Sequence, residues 1–241
     1  SSDVCSSDLG KGALAQLNAL SHKGVQEGFT PVILGGKDDL KWAHQRFDNN
    51  SKNILGDLSY FSRRSNSAEE ILSEWRRSDK EWIESYNRDL AMEGQEPFEL
   101  TDQRVPDSIP EPMEPYIIRR LTDRHSDNSA FIAKIPTRDP WTVPILLGWF
   151  ARNGLGESQQ SGREGIIEKY WFDKYGATVI CVTGDTVEFS VKRPPTSKGE
   201  ALKLAMQYRN YCHDIIQSGD YEILHHAGRI LNAPYWFFWW D

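Results

Sequence analysis

The stretch that most constrains this chain is Tyr235-Trp236-Phe237-Phe238-Trp239-Trp240-Asp241, in which six of seven residues are aromatic. Side chains on a strand alternate between faces, so Tyr235, Phe237 and Trp239 point one way and Trp236, Phe238 and Trp240 the other. Rings on both faces need cover on both, which predicts a well-shielded strand inside a sheet flanked by helices. Burying six rings is worth on the order of 10–15 kcal/mol before ordering costs, at about 2–3 kcal/mol each. The stretch reads as the last strand to join the sheet, with Asp241 at its wet end.

The remaining segments supply partners for that strand. Leu14, Leu17 and Leu20 recur near helical spacing in 12–24, which predicts a short helix closed by Gly24. A buried strand follows over 28–36, then a helix over 38–47 with acidic residues at its positive end. Ser67 and Glu70 fit a capping box opening a helix over about 67–93, whose Ile71, Trp75, Trp82, Tyr86 and Leu90 form a core-facing stripe. Residues 130–136 and 141–149 read as strands; "TPVILG" and "VPILLG" share a proline, aliphatic, glycine pattern too short to be a repeat. A glycine-rich loop near 150–160 leads to a helix with a second capping box, Ser161 to Glu164, stopped by Gly176. Runs 177–183 and 186–193 flank Gly184-Asp185, a strong hairpin signal. Ser197 and Glu200 cap the next helix, Gly219-Asp220 breaks it, and a further helix precedes the terminal strand.

The fold class is therefore α+β: a mixed or antiparallel sheet with helices packed on it and the aromatic C-terminal strand inside the sheet. Residues 10–66 read as an N-terminal α/β part of the fold, 67–115 as a helical, acidic and proline-rich insertion, and 116–241 as a C-terminal α+β domain. Within 93–115 there are seven acidic residues, one arginine and five prolines, the composition of an extended linker or surface loop. The first nine residues, "SSDVCSSDL", resemble translated sequencing-adapter read-through or a disordered tail, and stand outside the fold reasoning.

Charge and cysteine usage narrow the function. A formal net charge of −7 disfavours nonspecific nucleic-acid binding. No run of about 18 apolar residues is present, so no membrane span is expected. Cys5, Cys181 and Cys212 make no disulfide framework, and with no apolar secretory segment they point to a reducing cytoplasm.

Each chemical motif is incomplete. Gly154-Leu-Gly156 lacks the third glycine of a dinucleotide fingerprint, and no Gly-Lys-Ser/Thr completes a P-loop. Cys212-His213-Asp214 puts thiol, imidazole and carboxylate together, yet adjacent helical residues diverge by about 100° and cannot face one another. A nucleophile there would need His225 or His226; Cys212 otherwise reads as a small buried residue. His225 and His226 are adjacent, a spacing that does not present both to one metal. Asp185 and Glu188, with Asp214 and Asp241, offer paired carboxylates for proton transfer, although Asp185 also suits a hairpin turn. No catalytic residue, metal or cofactor is assigned. The candidate binding residues are Asp185, Tyr211, Cys212, Asp214, Trp239 and Asp241, where tryptophans can stack a base or sugar beside carboxylates.

"IPTRDPWTVPILLGW", "YWFDKYGATVICVTGDTVEFSVKRPPT", "EALKLAMQYRNYCHDIIQSG" and "YWFFWWD" occur in this order over about 130–241. In these blocks the chain resembles a bacterial domain-of-unknown-function family, number 4253. "FARNGLGES" departs from the family's Gly-Trp-Asn-Cys-Pro-like loop, and His213 stands where proline is usual. The resemblance implies an α+β fold and a bacterial or phage context, and it carries no activity. Two readings follow. The first is a non-enzymatic cytoplasmic module, immunity-like or regulatory, whose acidic surface steers a basic protein partner. The alternative is an enzyme or small-molecule binder with an aromatic, carboxylate-lined pocket.

Overall fold

The computed structural model describes residues 6–64, 66–107, 115–122, 129–149, 160–216 and 219–240. In chain order its helices and strands are α1 (Ser6–Glu27), β1 (Thr30–Gly35), α2 (Lys37–Arg64), α3 (Ala68–Met92), α4 (Tyr116–Thr122), β2 (Phe131–Ile135), α5 (Val143–Leu146), α6 (Gln160–Tyr175), β3 (Ala177–Val182), β4 (Thr186–Val191), α7 (Lys198–Tyr211), α8 (Gly219–Ile230) and β5 (Tyr235–Trp239). They fall into two compact units, one within residues 1–65, 112–193 and 234–241, the other within 66–111 and 194–233.

The first unit is built on a mixed sheet of order β2-β1-β3-β4-β5, with β1 and β3 parallel and the other neighbours antiparallel. The aromatic strand joins the sheet as expected, pairing with β4 at the outer position. Its two faces are covered unequally. Trp236, Phe238 and Trp240 are at most 3% exposed, whereas Tyr235, Phe237 and Trp239 are half-buried. On the closed face Trp171 of α6 stacks on Phe238 with ring centroids 5.6 Å apart and meets Phe189 and Trp236 edge-on. On the other face the Tyr116 ring lies 4.6 Å from Phe237. There the N–H of Ile117 donates to Glu188 Oε1 at 2.8 Å, so a buried strand carboxylate satisfies the opening turn of α4. Ala13 and Leu17 of α1 pack with Ile117, Ile118 and Leu121 of α4 over Ile33 and Ile180. Leu9, inside the stretch set aside on sequence grounds, packs against this cluster too.

Two glycines are required by backbone geometry. Gly35 ends β1 at φ +85°, and a side chain there would collide with the Asp39 carboxylate, which accepts from the Gly36 N–H at 3.0 Å. Gly176 turns α6 into β3 at φ +66°, as the sequence predicts.

Several expectations are corrected. Residues 141–149 are not a strand: Pro140–Thr142 form a 3₁₀ turn leading into α5. An apolar run of that length carries no period to separate helix from strand, and Pro144 sits in the first helical turn, where its missing N–H costs nothing. Ser67 adopts φ −92° and ψ 19° rather than an extended N-cap geometry, and its hydroxyl makes no capping bond. By contrast, Ser197 Oγ accepts from the Glu200 N–H at 3.3 Å. Helix α1 runs past Gly24 to Glu27, α2 extends to Arg64, and Gly219 opens α8. The glycine-rich loop at 150–159 lies outside the described residues.

The second unit is helical. Trp82, Tyr86 and Phe98 cluster at centroid distances of 5.6–6.2 Å, and the Arg209 guanidinium lies 4.2 Å above the Trp82 ring. Asp79 accepts from Asn210 at 2.7 Å and from Arg209 at 3.4 Å; burial raises its pKa against those two partners. Phe98 comes from the acidic segment and is 2% exposed, with its backbone paired on both sides by the Asn87 amide. Phe98 thus moors residues 93–107 to α3. No helix among the described residues is long and apolar enough to cross a membrane.

Candidate functional site

Two of the six candidate residues are brought together at the β3–β4 turn. Asp185 Oδ1 accepts from the Thr183 and Thr186 hydroxyls, each at 3.0 Å. Its Oδ2 accepts from Trp239 Nε1 at 3.2 Å, and its backbone carbonyl accepts from the Trp240 N–H at 2.9 Å. Trp149 donates from Nε1 to the Thr183 carbonyl at 3.1 Å and meets the Trp240 ring at 4.7 Å. This end of the sheet is a clamp. A carboxylate has about four acceptor sites, and here three donors hold it in the geometry of the turn and fasten β5 to it.

The other candidates are placed elsewhere. Tyr211 and Cys212 are buried in the second unit, at the end of α7, and Asp214 lies in the 3₁₀ turn His213–Ile215. Asp241 lies outside the described residues, as does Cys5. Cys181 and Cys212 are buried and not joined by a disulfide. Of the paired histidines, His226 packs against Tyr208 at 5.2 Å, and burial, with Arg229 and His225 adding to it, lowers its pKa to about 3. Among the described residues no three histidine, cysteine or carboxylate side chains could hold a metal ion.

A cavity of about 420 Å³ lies at the opposite end of the sheet from Asp185. One wall is α1 from Leu14 to Val25, apolar at Leu14, Leu17 and Val25 and polar at Asn18 and Ser21; the other is the sheet, where β3 and β5 begin and β4 ends. Strand register sets Thr178, Ser190 and Tyr235 side by side across β3, β4 and β5, and all three line the cavity. Their hydroxyls bond to no side chain or backbone group among the described residues. Two cations, Arg138 and Lys192, also line it, and no carboxylate, histidine or cysteine among the described residues does. An apolar wall facing a few convergent polar groups, within the roughly 300–1,000 Å³ range of ligand sites, is suited to hold a small molecule.

Neither the hydroxyl row nor the two cations stand out by type in the sequence. A readable signal does exist in Thr178 and Ser190, polar positions in otherwise apolar strands, but their pairing depends on a bulge. Between Val179 and Cys181 the β3–β4 register shifts by one residue. Without that shift Thr178 would oppose Val191 and face the core side with Phe189.

Residues 131–241 match the family described as a domain of unknown function, DUF4253, the family whose resemblance the sequence blocks carry. No curated protein and no solved structure matches the chain. The matched stretch contains Arg138, Thr178, Ser190, Lys192 and Tyr235 of the cavity and both partners of the Asp185–Trp239 clamp; the α1 wall lies outside it.

Proposed function

We propose that this chain, with its DUF4253 match over 131–241, is a small-molecule-binding module whose ligand sits between α1 and the sheet. The observation that carries this reading is the row Thr178–Ser190–Tyr235, whose open hydroxyls face Leu14, Leu17 and Val25 of α1 across the cavity. The lining supports binding over proton-transfer chemistry, because it holds no histidine, carboxylate or cysteine among the described residues. The site differs from the aromatic, carboxylate-lined pocket expected from sequence: its polar groups are hydroxyls, cations and the Asn18 amide.

The test is calorimetric titration with decanol, a neutral amphiphile, against the native protein and Ser190→Phe, which places a ring in the cavity. One-to-one saturable binding lost in the variant, with cooperative melting retained in both, is expected. Absence of saturable binding to the native protein, or equal binding to both, contradicts the reading.

A second reading keeps the basic protein partner. It is favoured by Glu93, Glu96, Glu99 and Asp102, all exposed on the segment that Phe98 moors. An immunity-like or regulatory role in the bacterial cytoplasm is the form it takes. A basic protein that binds the native chain at low salt but not an E93K/E96K/E99K variant would support it; identical binding to both would remove it.

A further inference from the structure

We propose that the cavity selects a singly charged anionic amphiphile, a carboxylate with an apolar tail, and that Arg138 and Lys192 hold its head. This rests on the ligand-binding reading above and adds the charge and class of the ligand.

Arg138 sits in a loop that the fold fixes on both sides. The Thr30 hydroxyl donates to the Thr137 carbonyl at 2.8 Å, and the Asp139 N–H donates to Thr137 Oγ1 at 3.0 Å. The Thr142 hydroxyl reaches back to the Asp139 carbonyl at 2.7 Å. The guanidinium between these anchors stands over Gly28, where an added Cβ would lie 3.5 Å from the nearer terminal nitrogen. Lys192 follows β4 directly, between backbone bonds from the Val191 N–H to Pro234 and from the Arg193 N–H to Tyr175.

Neighbouring cations are committed elsewhere. Arg193 donates to the carbonyls of Asp173 and Lys174 at the end of α6, and Lys134 lies 5.0 Å above the Phe29 ring. Arg138 and Lys192 have no ion pair or hydrogen bond among the described residues. In a chain with 35 acidic and 28 basic residues, a lining with two cations and no carboxylate runs against the composition. The hydroxyl row adds donors beside them, and the planar guanidinium suits a carboxylate's paired oxygens.

Gly24 and Val25 bring the last turn of α1, the negative end of its dipole, to the cavity, which opposes a doubly charged phosphate more strongly than a single carboxylate. Leu14, Leu17 and Val25 then receive the tail.

The experiment compares decanoate with decanol, equal in chain length, on the native protein and on R138Q/K192Q. Both positions are exposed, so the variant should fold. The decanoate-to-decanol affinity ratio should fall about fivefold or more in the variant at low salt, with decanol affinity unchanged, and the native ratio should shrink as salt rises. An unchanged ratio, or decylammonium binding as tightly as decanoate, overturns the charge assignment while leaving the cavity reading intact. Failure of both decanoate and decanol to bind the native protein instead removes the cavity reading itself.

Discussion

Strands β4 and β5 run between two ends that use similar residues for opposite purposes. At the turn end, threonine hydroxyls, an indole N–H and a carboxylate consume one another around Asp185, and two tryptophans close the space. At the far end, a threonine, a serine and a tyrosine stand in register, their hydroxyls without a hydrogen bond among the described residues, facing a cavity. Polar groups that satisfy each other define a turn; the same groups left unsatisfied beside apolar surface define a place for something else. Residue type does not separate the two cases, but bonding does.

The comparison can be broken at either end. The largest effect should come from the closed face of β4 and β5, opposite the cavity. Phe238→Ala removes a fully buried ring stacked on Trp171, and should cost about 3–5 kcal/mol in urea unfolding. A cost below about 1 kcal/mol would mean the sheet does not rest on that face. Next, Asp185→Ala should cost about 2–3 kcal/mol, because the Trp239 indole and two threonine hydroxyls lose a charged acceptor together. Asp185→Asn should recover part of this loss, since one amide oxygen remains to accept. The smallest stability change belongs to the open end: Ser190→Ala should stay within about 0.5 kcal/mol, having no bond to lose. If it destabilised as much as Asp185→Ala, the open end would be structural as well.

Much of the fold was legible because local signals agreed with tertiary needs. The hairpin around Gly184-Asp185, the Ser197 cap, the Gly176 stop and the aromatic strand each combine a backbone preference with a hydrophobic pattern. Where only one kind of signal was present, the outcome depended on context. "TPVILG" and "VPILLG" are nearly the same peptide, yet Thr30–Gly35 is a strand and Val143–Leu146 a helical turn. The difference comes from before the proline. The second follows Asp139-Pro140, in a 3₁₀ turn closed by Thr142 and Thr137 hydroxyls 2.9 Å apart, while the first is paired by β2 and β3.

The site was less legible for a sharper reason. Asp185 and Trp239 are conspicuous as chemistry-bearing residues, and their proximity follows from a hairpin beside a terminal strand; the bonds that consume them do not. Tyr211, Cys212 and Asp214 drew attention by type and by closeness in sequence, and the structure places them in the helical unit. The cavity depends on a one-residue bulge at Ile180, which turns Thr178 toward α1, and on a loop that presents Arg138 from beyond β2. Neither is written in any short motif.

The contrast between the two ends is tested most directly by backbone amide shifts during a decanoate titration of the native protein. Perturbations concentrated at Thr178, Ser190, Lys192 and Tyr235, with Thr183–Thr186 and Trp239 unmoved, are the expected result. Perturbations centred on Asp185 and Trp239, or none at saturating decanoate, would contradict the account.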